Sequence, residues 1–225
     1  MPRILILSGA GHYADPWHPF AETSGIVAGL LREVGHDVVV RDSAPGSLQD
    51  LPQFDLLVVN SGGRLGEPDP AVTASWAVDH RALAAFHIDG GPILGLHTAV
   101  ATFPDWPAWA AIIGGRWGEE AFHPEIDTAT FLPSPQSSSH PVWDSLESVV
   151  AFDERYSRLE LLAGSEPLVQ HETDGTVHTM GWLASVRVVY DGLGHDARSY
   201  ESAGRRCLLL NEVQWLLTPP PGAGH

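Results

Sequence analysis

The chain has 225 residues, 44% of them apolar, enough for one large α/β domain or two small ones. Its 12 Lys+Arg stand against 28 Asp+Glu, and the net charge of −16 would repel a phosphate backbone, which argues against a nucleic-acid partner. The single cysteine, Cys207, excludes an internal disulfide and a Cys-x-x-Cys zinc site, and suits a reducing compartment.

The first element is the apolar run from Arg3 to Ser8, which ends in Gly9-Ala10-Gly11 and predicts a strand buried on both faces. It is too short for a signal peptide, and no run of about 18 apolar residues exists to span a membrane, so a cytoplasmic protein with no membrane partner is expected. From Phe20 to Val34, apolar residues recur at helical spacing, with Gly35 as the stop. Strands are then expected at Val38-Val39-Val40 and Leu56-Leu57-Val58-Val59, a mostly helical stretch from Val72 to Phe86, and a strand at Ile93-Leu94-Gly95-Leu96. This alternation predicts a doubly wound α/β fold with a mostly parallel sheet and helices on both faces.

The second half is less regular. Strands are predicted from Ile126 to Leu132, from Val149 to Phe152 and from Val186 to Tyr190, with a loop from Pro133 to Ser139. Asp174-Gly175, between the alternating segments Leu168 to Glu172 and Thr176 to Trp182, predicts an added β-hairpin. Glu201 to Leu217 reads as the closing helix. The chain is expected to form a single domain over residues 1–217, with a flexible Pro/Gly tail over 218–225.

Ligands of open α/β sheets collect at the carboxyl ends of the strands. Four loops at that edge carry candidates. The loop after the first strand holds His12 and His18 with an acid between them, and it lacks the glycine pattern of a phosphate loop. The turn Gly95-Leu96-His97 breaks a buried strand just before a helix, which sets the imidazole where hydrolases with a strand-turn-helix elbow keep their nucleophile. Asp153, Glu154 and Tyr156 end another strand, and strand alternation turns at most one of the two carboxylates into a given pocket unless the strand has already ended. Gly194-His195-Asp196 precedes the last helix, so Asp196 is placed either to cap it or to orient the neighbouring ring. His123, near Trp106, Trp109 and Trp117, is a fifth candidate.

Taken in order, Gly95-Leu96-His97, Gly114-Gly115, His123, His140-Pro141, Asp153-Glu154-x-Tyr156, Trp182 and Gly194-His195-Asp196 resemble the trehalose-utilisation (ThuA-like) family. The resemblance implies a flavodoxin-like core similar to that of class I glutamine amidotransferases. It also implies a role with disaccharides, particularly sugars oxidised to the 3-keto form. The elbow carries His97 rather than cysteine, which excludes glutamine hydrolysis through a thioester. One departure is the segment Leu183-Ala184-Ser185-Val186-Arg187, where the family usually shows a Gly-x-Gly-Arg turn.

The leading expectation is a carbohydrate-active enzyme that acts on a keto-sugar or glycoside by proton transfer, through isomerisation, elimination or hydrolysis. His97 and His195 would form the acid/base pair and Glu154 would be a second carboxylate or orienter. His12, His18, His123, Asp153, Tyr156 and Asp196 would bind the substrate. The sequence names no cofactor. A divalent metal is compatible with imidazoles on separate loops, although no His-x-x-x-His pair is present, so a zinc- or manganese-dependent hydrolase is one rival. A sugar-binding or regulatory module without chemistry is another. A small-molecule sugar is the expected partner, and a homo-oligomer is compatible with the sequence.

Overall fold

The structure, a computed structural model, describes residues 1–63, 69–185 and 187–219. The chain begins with β1 (Arg3–Ser8), α1 (Phe20–Glu33), β2 (Asp37–Asp42), β3 (Leu56–Asn60), α2 (Pro70–Ile88) and β4 (Ile93–Leu96). A 3-10 turn over His97–Ala101 and a short helix, α3 (Ala108–Ile113), follow. Next come β5 (Gly115–Arg116), β6 (Asp127–Pro133), β7 (Val149–Asp153), β8 (Glu160–Leu161), β9 (Glu166–Thr173), β10 (Thr176–Ser185) and β11 (Val188–Asp191). Helix α4 (Ala203–Leu217) closes the fold.

The central strands run parallel in the order β2-β1-β3-β4-β11. This is the flavodoxin-like order, so the α/β fold read from the sequence is the observed one. The apolar runs at residues 4–7 and 56–59 are fully buried at its centre, as strands covered on both faces must be. From β1 to β2 the chain steps one way across the sheet, and from β3 to β4 it steps the other way. Right-handed crossovers then put α1 and α2 on opposite faces.

The added antiparallel part is larger than one hairpin. Beyond β11 the sheet continues through β10, β9, β6 and β7, while β5 and β8 pair apart. Asp174 and Gly175, with φ of +52° and +73°, make the expected two-residue turn between β9 and β10. β6 meets β9 only at Leu132 and Pro133, then pairs with β7 from Asp127 to Phe131. That departure carries the end of β7 toward the loop after β11.

Several boundaries differ from expectation for local reasons. Helix α2 starts at Pro70 because Asp69 caps it by accepting the Ala71 N–H. The closing helix starts at Ala203, not Glu201: residues Ala197–Glu201 form a 3-10 turn, and extended Ser202 then caps α4 by accepting the Arg205 N–H. The stretch after His97 is likewise a 3-10 turn rather than an α-helix. Val186, the expected start of the last strand, lies outside the described residues, and the strand runs over Val188–Asp191. Of the expected tail, only Thr218 and Pro219 are described, and the Arg187 guanidinium donates to the Thr218 carbonyl. No helix among the described residues is long and apolar enough to cross a membrane.

Candidate active site

The loops after β1, β4, β7 and β11 meet above the carboxyl ends of the central strands. With Gly63 beyond β3 they line a cavity of about 880 Å³, within the ~300–1,000 Å³ typical of small-molecule sites. It lies where the strand order reverses between β1 and β3, the usual ligand crevice of this topology. The loop after β1 contributes Asp15, Trp17 and His18, the turn after β4 Thr98 and Ala101, the loop after β5 Trp117 and His123, and the loops after β7 and β11 Glu154, Tyr156 and His195.

Glu154 is the centre of the site. It directly follows the last residue of β7, its side chain lines the cavity while that of Asp153 does not, and it is only 8% exposed. Oε1 stands 3.4 Å from both His195 Nε2 and His123 Nδ1, and Oε2 stands 3.3 Å from His97 Nε2 and 3.9 Å from His18 Nε2. Burial opposes its ionisation, but the His18 and His97 rings outweigh that and hold the carboxyl well below the usual range.

The rings around it are fixed from behind. Asp15 accepts the backbone N–H groups of Trp17 and His18, which folds the loop so that the same carboxylate reaches His18 Nδ1 at 2.7 Å. Burial lowers the His18 imidazole, but Asp15 and Glu154 outweigh this and push it up to about 9. His195 Nδ1 faces Asp196 Oδ2 at 3.1 Å, and here burial, followed by His97, pushes the imidazole down.

His97 occupies the elbow with φ of +46°, a left-handed conformation uncommon for a residue with a side chain. The Tyr190 hydroxyl holds it by donating to its carbonyl at 2.7 Å. Two residues earlier, a Cβ at Gly95 would sit 2.6 Å from Ile113 Cδ1 and 3.2 Å from Ala99 Cβ, so glycine lets both side chains pack against the strand. His97 is 1% exposed and lies beneath Glu154 and Tyr156 rather than on the cavity surface. Its Nδ1 meets the Gly192 carbonyl at 2.7 Å, so that nitrogen carries a proton, and Nε2 meets the Tyr156 hydroxyl at 2.9 Å.

Three expected substrate contacts are placed elsewhere. His12 is exposed outside the cavity, because the 3-10 turn Gly11–Tyr13 sends Tyr13 inward instead, to donate to Asp105. Asp153 is fully buried and acts as a tie: it accepts from the N–H groups of Glu154, Gly194 and His195 and from the Ser199 hydroxyl. Asp196 stays behind His195, where it caps the next turn and pairs with Arg198. The structure adds Asp15, Trp17 and Thr98 to the site. The signal for Asp15 is its spacing, an acid three residues before a histidine in a Gly/Pro-rich loop.

A family model described as ThuA, trehalose utilisation, matches residues 3–216. Among solved structures, a ThuA-like protein of Parabacteroides merdae is 18% identical with a TM-score of 0.78, over 96% of this chain and 90% of that one. A ThuA-like protein of Bacteroides uniformis is 15% identical with a TM-score of 0.74, over 95% and 90%. A glutamine amidotransferase of Thermotoga maritima is 11% identical with a TM-score of 0.64, over 97% and 99%. At these identities the structures share the fold. A search of curated proteins gives no match.

Proposed function

The chain belongs to the ThuA, or trehalose utilisation, family, and from its carbohydrate-related role we propose that the cavity around Glu154 is the active site of an enzyme that acts on a keto-sugar or keto-glycoside by proton transfer. The observation that carries this reading is the convergence of His18, His123 and His195 on one buried carboxylate inside a single cavity. A keto group acidifies the neighbouring C–H, and an imidazole is the side chain suited to exchange that proton near neutral pH. The proton passes to the ring and the electron pair moves toward the carbonyl oxygen. Return of the proton to a different carbon gives isomerisation. Expulsion of a glycosidic oxygen on the next carbon, which takes up the proton, gives elimination, and later addition of water completes a net hydrolysis.

His195 is the proton-transfer group in this scheme, because it faces the cavity while Asp196 fixes its ring. Glu154 holds the imidazoles around the reacting carbon. His97 acts through Glu154 and Tyr156 as a positioning residue. Trp17 and Trp117 offer apolar faces to the C–H side of a sugar ring. Glutamine hydrolysis forms no part of this reading, since the elbow holds an imidazole and Cys207 lies on α4.

The test is to incubate the protein with a 3-keto-disaccharide and, separately, with its unoxidised parent, and to follow both by NMR. Consumption of the keto form alone is expected, slowed about 10²–10⁴-fold by His195→Ala and by Glu154→Gln. Unchanged rates in folded variants overturn the assignment. Saturable binding without product replaces it with a sugar-binding module.

A further inference from the structure

We infer that His18, Glu154 and His195 form a binding site for one divalent transition-metal ion. Both rings have their Nδ1 turned onto a carboxylate, His18 onto Asp15 at 2.7 Å and His195 onto Asp196 at 3.1 Å. A carboxylate only accepts, so each neutral ring keeps its proton on Nδ1 and aims the Nε2 lone pair into the site. His18 Nε2 is buried and has no hydrogen-bond partner among the described residues. The two Nε2 atoms and an oxygen of Glu154 lie within 4.8 Å of one another. With both rings neutral, two lone pairs and a negative charge converge on one point, and a cation there takes the place of the proton that His18 otherwise holds.

The dimensions and second partners fit an ion. Atoms bound to one tetrahedral ion at ~2.0–2.1 Å stand about 3.4 Å apart. His195 Nε2 and Glu154 Oε1 already stand 3.4 Å apart, and His18 Nε2 is 3.9 Å from Glu154 Oε2. A carboxylate behind each ligating imidazole is the arrangement that fixes the ring and raises its basicity toward a metal, and it occurs here twice. Two imidazoles and one carboxylate suit zinc, manganese or iron rather than calcium or magnesium, which take oxygen ligands. Three protein ligands on the wall of an open cavity also leave a coordination position for a substrate oxygen.

The neighbouring histidines fall outside the set. His97 Nε2 is taken by the Tyr156 hydroxyl, and His123 Nδ1 faces the Pro124 carbonyl at 3.1 Å on the exposed rim. The ligands are separated by more than a hundred residues on one side, which is why no short-spaced histidine pair marks the site in the sequence. The inference stands on ligand geometry and does not rest on the sugar reading. The ion and the proton-transfer role compete for the same His195 Nε2: when bound, the ion would supply a Lewis acid for a substrate oxygen, and proton transfer would pass to His123, the other imidazole lining the cavity.

Chelator-treated protein, without sugar, is titrated with Zn²⁺ and with Mn²⁺ by calorimetry, and one ion per chain is expected. His18→Ala and His195→Ala should each weaken binding at least tenfold. Asp15→Asn and Asp196→Asn, which keep both ligating rings, should weaken it about 10–100-fold. His12→Ala should leave it unchanged, with circular dichroism as the check on folding throughout. Absence of stoichiometric binding, or affinity unaltered in the folded ligand variants, overturns the site and leaves the proton-transfer reading to its own assay.

Discussion

Asp153→Asn is expected to destabilise the protein by about 2–3 kcal/mol, as the loss of one charge-assisted hydrogen bond together with a buried unpaired N–H. In the wild type, Oδ1 accepts from the N–H groups of Glu154 at 3.0 Å and His195 at 3.1 Å, and Oδ2 accepts from the Gly194 N–H at 2.8 Å and the Ser199 hydroxyl. An amide NH2 in the Oδ1 position would face two backbone donors, so asparagine turns its nitrogen to the Oδ2 side. There the Ser199 hydroxyl can rotate to accept, but the Gly194 N–H cannot. Asp153→Ala removes every acceptor and is expected to cost about 4 kcal/mol or more. Urea unfolding followed by tryptophan fluorescence measures both losses. A loss below about 0.5 kcal/mol for the asparagine variant would refute Asp153 as the tie between β7 and the His195 loop.

Gly194→Ala forces φ of +116° on a residue with a side chain and brings its Cβ to 2.6 Å from the Tyr200 hydroxyl, so a loss of about 1–3 kcal/mol is expected, read as a lowered Tm. Tyr156→Phe leaves the buried His97 Nε2 without its partner at 2.9 Å; about 1–2 kcal/mol should be lost in denaturant titration, and no change would contradict the pairing. Trp17→Ala removes a ring that is 71% exposed at the cavity mouth. It should leave stability within about 0.5 kcal/mol but weaken the Kd for a keto-sugar about tenfold, some 1.4 kcal/mol, and an unaltered Kd would move the sugar away from that wall.

The parallel half of the fold was legible because β1, β3 and β4 are continuous apolar runs covered on both faces, and the intervening helix of residues 20–33 carries its own apolar stripe and glycine stop. The β9–β10 turn was legible from Asp174-Gly175. The path of β6 and β7 was not, because β7 alternates buried and exposed residues like any edge strand and nothing local states which strand it joins. At the site, only Glu154 of the adjacent pair Asp153 and Glu154 lines the cavity, and the sequence did not say which of the two would, because β7 ends between them. His12 and His18 look equivalent in sequence. The 3-10 turn at Gly11–Tyr13 and the Asp15 hydrogen bonds turn only His18 inward; the turn is a matter of backbone geometry, and only the spacing of Asp15 marks it in the sequence.

His97 holds the elbow position of the amidotransferase-like fold, yet it lies under Glu154 and Tyr156, so the proposed reaction is assigned to the carboxylate and rings above it rather than to the elbow. The most direct measurement is solvent deuterium incorporation. A 3-keto-glycoside is incubated with the protein in D2O, and NMR follows the proton on the carbon next to the carbonyl. Exchange catalysed by wild type and lost in His195→Ala and Glu154→Gln is the predicted result. Exchange no faster than in buffer, or equally fast in folded variants, would contradict proton transfer at this cavity.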